Sequence, residues 1–266
     1  KKHQLDYWAG TVYTTNRRVW EHDEEFKNYL REIRAMGIDM ETATIFTVAF
    51  VNEIPHGANE IMLEMTPSHT PAELRAEYKI EPDTPIVLFF GTLTKYKGIE
   101  DLINAFPKVA RETGAKLVIA GYPAKDIDPD ELKATAKELG IEHDIVWYLD
   151  YVPNDQVVPL MQMSDIIALP YRAITQSGIL QIAYACGKPV VATRVGGLGD
   201  AIEQGKSGLL TEPQNLEAFA DALIELLNDG PLRQKMSTRA LDLAESKYSW
   251  RSVAKRVMTA MEKTIS

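Results

Sequence analysis

With 266 residues, of which 45% are hydrophobic, the chain is long enough for one or two domains and a substantial core. Its formal net charge of −9 excludes a broad basic surface for nucleic acid, although local cation clusters can still hold a diphosphate. Cys186 is the only cysteine, which excludes an internal disulfide and a cysteine metal cluster and leaves a buried thiol as the default.

In chain order, the first expected elements are a charged helix from Asp23 through Arg34, a strand over Met36-Gly37-Ile38-Asp39-Met40, and an apolar helix from Glu41 toward Asn52. The Pro-rich stretch from Pro67 to Pro85 is the best boundary region. Beyond it, strands are predicted at Ile86–Phe90, Lys116–Ala120, Ile145–Leu149, Asp165–Leu169 and Pro189–Thr193, most of them apolar on both faces, as strands covered by helices on both sides read. Between the first two, Ile99, Leu102, Ile103, Phe106, Val109 and Ala110 recur at helical spacing toward Gly114. Asn154 or Asp155 caps the helix carrying Val157, Leu160 and Met161. The predicted class is α/β, a doubly wound parallel sheet preceded by a small α/β fragment.

The block from Thr175 to Gly197, TQSGILQIAYACGKPVVATRVGG, suits a phosphate. Ser177 and Gly178 open a short helix whose N-terminus presents unpaired N–H groups and the positive end of its dipole. Gly196 and Gly197 follow the next strand, which places a second glycine loop at the same sheet edge; the simpler reading is that these glycines only permit tight turns. At the C-terminus Val253, Val257, Met261 and Ile265 share one face of a helix with Arg251, Lys255 and Arg256 elsewhere; such a helix can lie on a membrane surface or pack on the protein. No run reaches membrane-spanning length and no signal peptide is visible, so cytoplasmic residence is expected. The chain starts at Lys1 rather than methionine, which suggests a fragment.

PIVLFFGTLTKYKGIEDLINAF (Pro85 to Phe106), YVPNDQVVPLMQMSDIIALPY (Tyr151 to Tyr171) and the Thr175 block extended to Pro213 together resemble the C-terminal domain of a family 4 glycosyltransferase. The resemblance implies the donor half of a GT-B fold, a nucleotide-sugar as substrate with no cofactor or metal, and sugar transfer with retention to an unknown acceptor. It places the donor on Gly91, Thr92, Lys95, Lys97, Tyr151, Thr175, Ser177, Gly178, Gly196 and Gly197, with Lys97 neutralising the diphosphate as it leaves. Lys97 could also be a solvated lysine at a helix start. Where many members have an arginine after the strand glycine, Thr92 follows Gly91, so Lys95 would have to serve as second cation. Two glutamate positions of the family fall on Ile174 and Ile182, and Gln181 is a polar substitute or a solvent-facing residue.

Gly10 to Ala58, which includes the Met40-Glu41 pair, resembles the C-terminal part of an AMP nucleosidase, a member of the nucleoside phosphorylase superfamily. That resemblance gives Glu41 the ribose hydroxyls and packs Met40 on the sugar, while a helix-starting glutamate is the plainer reading of Glu41. The family's later aspartate has no counterpart in GANEIMLEMTP. The two resemblances meet at Ile54–Ala58, so residues 1–58 are expected as a nucleosidase-like fragment, 59–81 as linker and 82–266 as the donor-binding domain. A nucleotide-binding or assembly module without turnover, and a nucleoside hydrolase fragment, are the competing functions, and the oligomeric state is open.

Overall fold

The computed structural model describes residues 65–249, with 63, 251–253, 255, 256 and 259, and gives residues 11–14 and 35–39 as backbone strands. The chain divides into two compact units, one of Lys1–Pro55 with Ala254–Ser266 and the other of His56–Val253. In the first, β1 (Thr11–Thr14) pairs in parallel with β2 (Ala35–Asp39). The expected strand at Met36–Met40 therefore begins one residue earlier, while the flanking helices, Met40 and Glu41 lie outside the described residues.

The second unit is built on six parallel strands: β3 (Ile86–Phe90), β4 (Lys116–Ala120), β5 (Ile145–Tyr148), β6 (Ile166–Leu169), β7 (Val190–Thr193) and β8 (Gly208–Thr211). They lie in the order β5-β4-β3-β6-β7-β8, so the winding direction reverses between β3 and β6. This is the expected doubly wound sheet, and a crevice opens where the direction changes.

Alternation along the strands divides the core into two layers. Val87, Phe89, Leu117, Ile119, Ile166 and Ala168 point to one face, where they meet α2 (Ile99–Thr113), α3 (Pro129–Glu138) and α7 (Leu216–Asn228). Ile86, Leu88, Phe90, Val118, Ile167 and Leu169 point to the other, covered by α1 (Pro71–Glu77), α4 (Asn154–Met163), α5 (Gly178–Ala185) and α8 (Gly230–Leu243). Between β7 and β8 runs the single turn α6 (Leu198–Ala201). Both faces are apolar because both are covered, which is why the strands read as continuous apolar runs.

The differences from expectation have local causes. β6 starts after Asp165, whose carboxylate is spent on the Ile86 N–H at 2.8 Å. Neither Asn154 nor Asp155 caps α4; Pro153 precedes the helix without a side-chain cap, and Asn154 Oδ1 instead accepts from the Tyr151 hydroxyl at 3.2 Å. Within the stretch expected as linker, Thr70 and Glu73 form a reciprocal capping box that starts α1, burying Leu74 and Ile80 in the second core layer. Val253 is buried, whereas Val257, Met261 and Ile265 fall outside the described residues.

Because α1 is fastened to α4, limited proteolysis of the full chain is expected to cut first between His56 and Thr70 and to leave a resistant product that starts near Pro71. A first cut between Ile80 and Pro85 would show instead that α1 is not part of the cooperative core.

Candidate functional site at the reversal of the sheet

The loop after β3 carries Gly91, which has φ +107°, and leads into a tight turn over Lys95–Lys97 that ends at left-handed Gly98. Lys97 is only 9% exposed, and burial alone pushes its ammonium down to about 8 from the ordinary lysine value of 10.5. No carboxylate among the described residues offsets that penalty, so the group is charged at neutral pH at a cost to the fold. A Cβ on Gly91 would stand 3.1 Å from Lys97 Nζ and 3.4 Å from Ile179 Cδ1. The lysine and the first turn of α5 therefore flank the same glycine.

Ser177 caps α5, its hydroxyl accepting from the Leu180 N–H at 3.3 Å. The Gly178 and Ile179 amides precede the intrahelical ladder and face outward with the helix dipole. A Cβ on Gly178 would meet nothing within 4 Å, so there is open space at this helix start. A buried, uncompensated cation and an open helix N-terminus thus face one crevice at the carboxyl edge of the sheet, the requirement for holding a polyanion.

The loops of this edge are stitched to one another. The Arg172 N–H donates to the Tyr96 carbonyl at 2.7 Å, and the Gly197 N–H donates to the Thr175 carbonyl at 2.9 Å. At Gly98 and Gly196, both with positive φ, a Cβ would collide with the carbonyls of Pro170 and Ile174 respectively. Gly196 and Gly197 thus allow close packing of the β7 loop on the β6 loop, as the simpler reading of these residues has it.

Residues 71–242 match the family model described as glycosyl transferases group 1. The chain belongs to this glycosyltransferase family. It is 34% identical over 185 residues to an uncharacterized glycosyltransferase of Methanocaldococcus jannaschii, covering 69% of this chain and 46% of the relative. It is also 35% identical over 184 residues to a D-inositol 3-phosphate glycosyltransferase of Corynebacterium aurimucosum, covering 68% and 43%. The chain thus spans a little under half the length of these curated relatives. Among solved structures, Anabaena HepE in complex with UDP superposes with a TM-score of 0.68 at 20% identity, over 95% of this chain and 71% of that one. The C-terminal domain of a group 1 glycosyltransferase, LpcC, from Francisella tularensis gives 0.61 at 24%, over 71% and 98%. The six-stranded unit has the Rossmann-like architecture of GT-B glycosyltransferases. Residues 1–79 separately match the phosphorylase superfamily model.

In this member of the group 1 family the remaining expected residues are spread along the same edge. Thr92 and Thr175 are exposed in the loops after β3 and β6, next to the crevice. Lys95 is exposed, its own N–H held by Asp126 at 3.0 Å. Tyr151 is also exposed, but it follows β5, the outer strand, two strands away from the reversal. Gln181 does not face solvent as one sequence reading had it; it is buried in α5. The Cys186 thiol is partly buried and pushed up to about 11 by that burial. Among the described residues, no three His, Cys, Asp or Glu side chains gather to hold a metal ion, and no helix is long and apolar enough to cross a membrane.

Sequence reasoning missed Arg172. Its guanidinium forks onto Asp101, Nε to Oδ2 at 2.8 Å and Nη2 to Oδ1 at 2.7 Å, and Nη1 reaches Glu100 Oε2 at 2.8 Å. An arginine three residues beyond the end of β6 was the available signal, since ligands of such sheets bind at that edge.

Proposed function

We propose that the six-stranded unit is the donor-binding half of a retaining, family 4-type glycosyltransferase, which binds a nucleoside diphosphate sugar and supports its transfer to an acceptor. The observation that carries this reading is the buried Lys97 ammonium beside the open start of α5. In a partly dry crevice an ammonium acts on a developing diphosphate charge more strongly than it does in water, and it needs no reorganisation as the sugar–phosphate bond breaks. The amides of Gly178 and Ile179, with the Ser177 hydroxyl, supply donors to the same anion. HepE has been solved with UDP and with UDP-glucose, which supports a nucleotide-sugar as the ligand class. The match of residues 1–79 to the phosphorylase superfamily supports a nucleosidase-like origin for that segment, with Met40 and Glu41 as its ribose element.

A panel of UDP-, GDP- and ADP-sugars tests the proposal. One of them is expected to raise the melting temperature of the full chain by mass action, and a saturating ligand at about 100 times its Kd contributes about 2.7 kcal/mol. Stabilisation without sugar transfer would make the chain a binding module, and no stabilisation by any member would remove the donor assignment. Release of adenine from AMP, abolished in Glu41→Ala, would favour the nucleosidase reading instead.

A further inference from the structure

Lys97 has no ion-pair partner among the described residues, so the position of its ammonium must be set by the main chain that carries it. A lysine stem is otherwise free to leave for solvent, because a long side chain gains rotamer freedom there. Arg172 holds that main chain on both sides. Its N–H takes the Tyr96 carbonyl at 2.7 Å and its Nη1 approaches the Lys95 carbonyl at 3.5 Å. Beyond the lysine, the same guanidinium forks onto Asp101 and touches Glu100, in the first turn of α2. Residues 95, 96, 100 and 101 bracket Lys97, and all four are tied to one arginine from the opposite side of the crevice.

We propose that Arg172 and Asp101 are positioning residues that hold the Lys97 ammonium at the reversal between β3 and β6. The pair does not serve as a second cation for the anion, because two carboxylates neutralise the guanidinium and its fork is fully used. The bidentate geometry fixes the angle as well as the distance between the β6 loop and α2, which a single ammonium could not do. Gly98 completes the contact: its missing side chain lets the turn lie directly on the Pro170 carbonyl, two residues before Arg172 in the same loop.

This inference rests on the donor-site reading of Lys97, and a double-mutant cycle separates the two. UDP, GDP and ADP are titrated into the full chain, and the tightest binder is measured against wild type, Asp101→Asn, Lys97→Ala and the double variant at pH values from 6 to 10, roughly spanning the lysine titration. Asp101→Asn is expected to weaken binding about 5- to 20-fold alone and less than about 2-fold in the Lys97→Ala background. It should also move the alkaline loss of affinity upward from about 8, because a released, hydrated lysine regains its ordinary value. Arg172→Lys, which keeps the charge and loses the fork, should give a smaller loss in the same direction and serves if Asp101→Asn fails to fold. Unchanged affinity in Asp101→Asn, or an equal loss in both backgrounds, would overturn the positioning role. If wild type binds none of the three nucleotides, or Lys97→Ala binds as tightly as wild type, the donor site itself is wrong and this inference falls with it.

Discussion

Replacing Lys97 by alanine is expected to weaken nucleoside diphosphate binding by about 1.5–3 kcal/mol, or about 10- to 150-fold, the range for a charge-assisted hydrogen bond in a partly dry cleft. The same lysine costs the free protein stability. Its ordinary value of 10.5 falls to about 8 in the folded chain, so between these pH values the unfolded state binds more protons and stability rises with pH. Below about 8 the penalty is fully present. Lys97→Met, which keeps the stem and removes the charge, should therefore raise unliganded stability at neutral pH by about 1–3 kcal/mol while losing the anion. Calorimetric titration and thermal melting of both variants check the pair of outcomes. A solvated lysine with no functional role would give neither.

The second large effect is expected at Gly196. With φ at +46° and the Ile174 carbonyl where a Cβ would go, Gly196→Ala combines a left-handed alanine with a backbone collision. The loss of stability is expected at about 2–4 kcal/mol, with weaker nucleotide binding as the β6 loop is pushed away from α5. Gly114→Ala is the control, because its φ is +65° but nothing lies within 4 Å of the added carbon. It should cost only the conformational term of about 1–2 kcal/mol and leave binding unchanged. Equal losses in the two variants, measured by denaturant unfolding, would mean that loop packing at Gly196 contributes nothing.

The sheet was legible because its physics is local to each strand: Ile86–Phe90 is apolar throughout and Lys116–Ala120 is apolar after its half-buried first residue, and both strands have the bounds read from their residues. β8 was not read as a strand, since Gly208–Thr211 is only four residues long and follows directly on the turn over Gly205–Ser207. Helix α1 was hidden for a different reason. Its Thr70-Pro71-Ala72-Glu73 capping box is a readable start signal, but the proline at its first position weighs as a breaker in a Pro-rich stretch. Lys97, Ser177 and Gly178 could be singled out as candidates because each stands at an element boundary on the carboxyl edge of a strand. The Arg172–Asp101 fork was not found, because the two residues are 71 positions apart and only the sheet order brings them together. The groove between α1 and α4, lined by Arg75, Lys79, Ile80 and Gln162, was likewise unforeseen; it lies at the other end of the strands from the crevice.

The location of the donor site is the central claim, and amide chemical-shift mapping with UDP, GDP and ADP tests it most directly. On addition of the nucleotide that binds, the amides of Gly178 and Ile179 and the signals of Gly91 and Lys97 should move furthest, with smaller changes at Thr175 and Gly197. Largest shifts around Arg75, Lys79 and Gln162, with Gly178 and Lys97 unmoved, would contradict it and place the nucleotide in the groove at the opposite end of the strands.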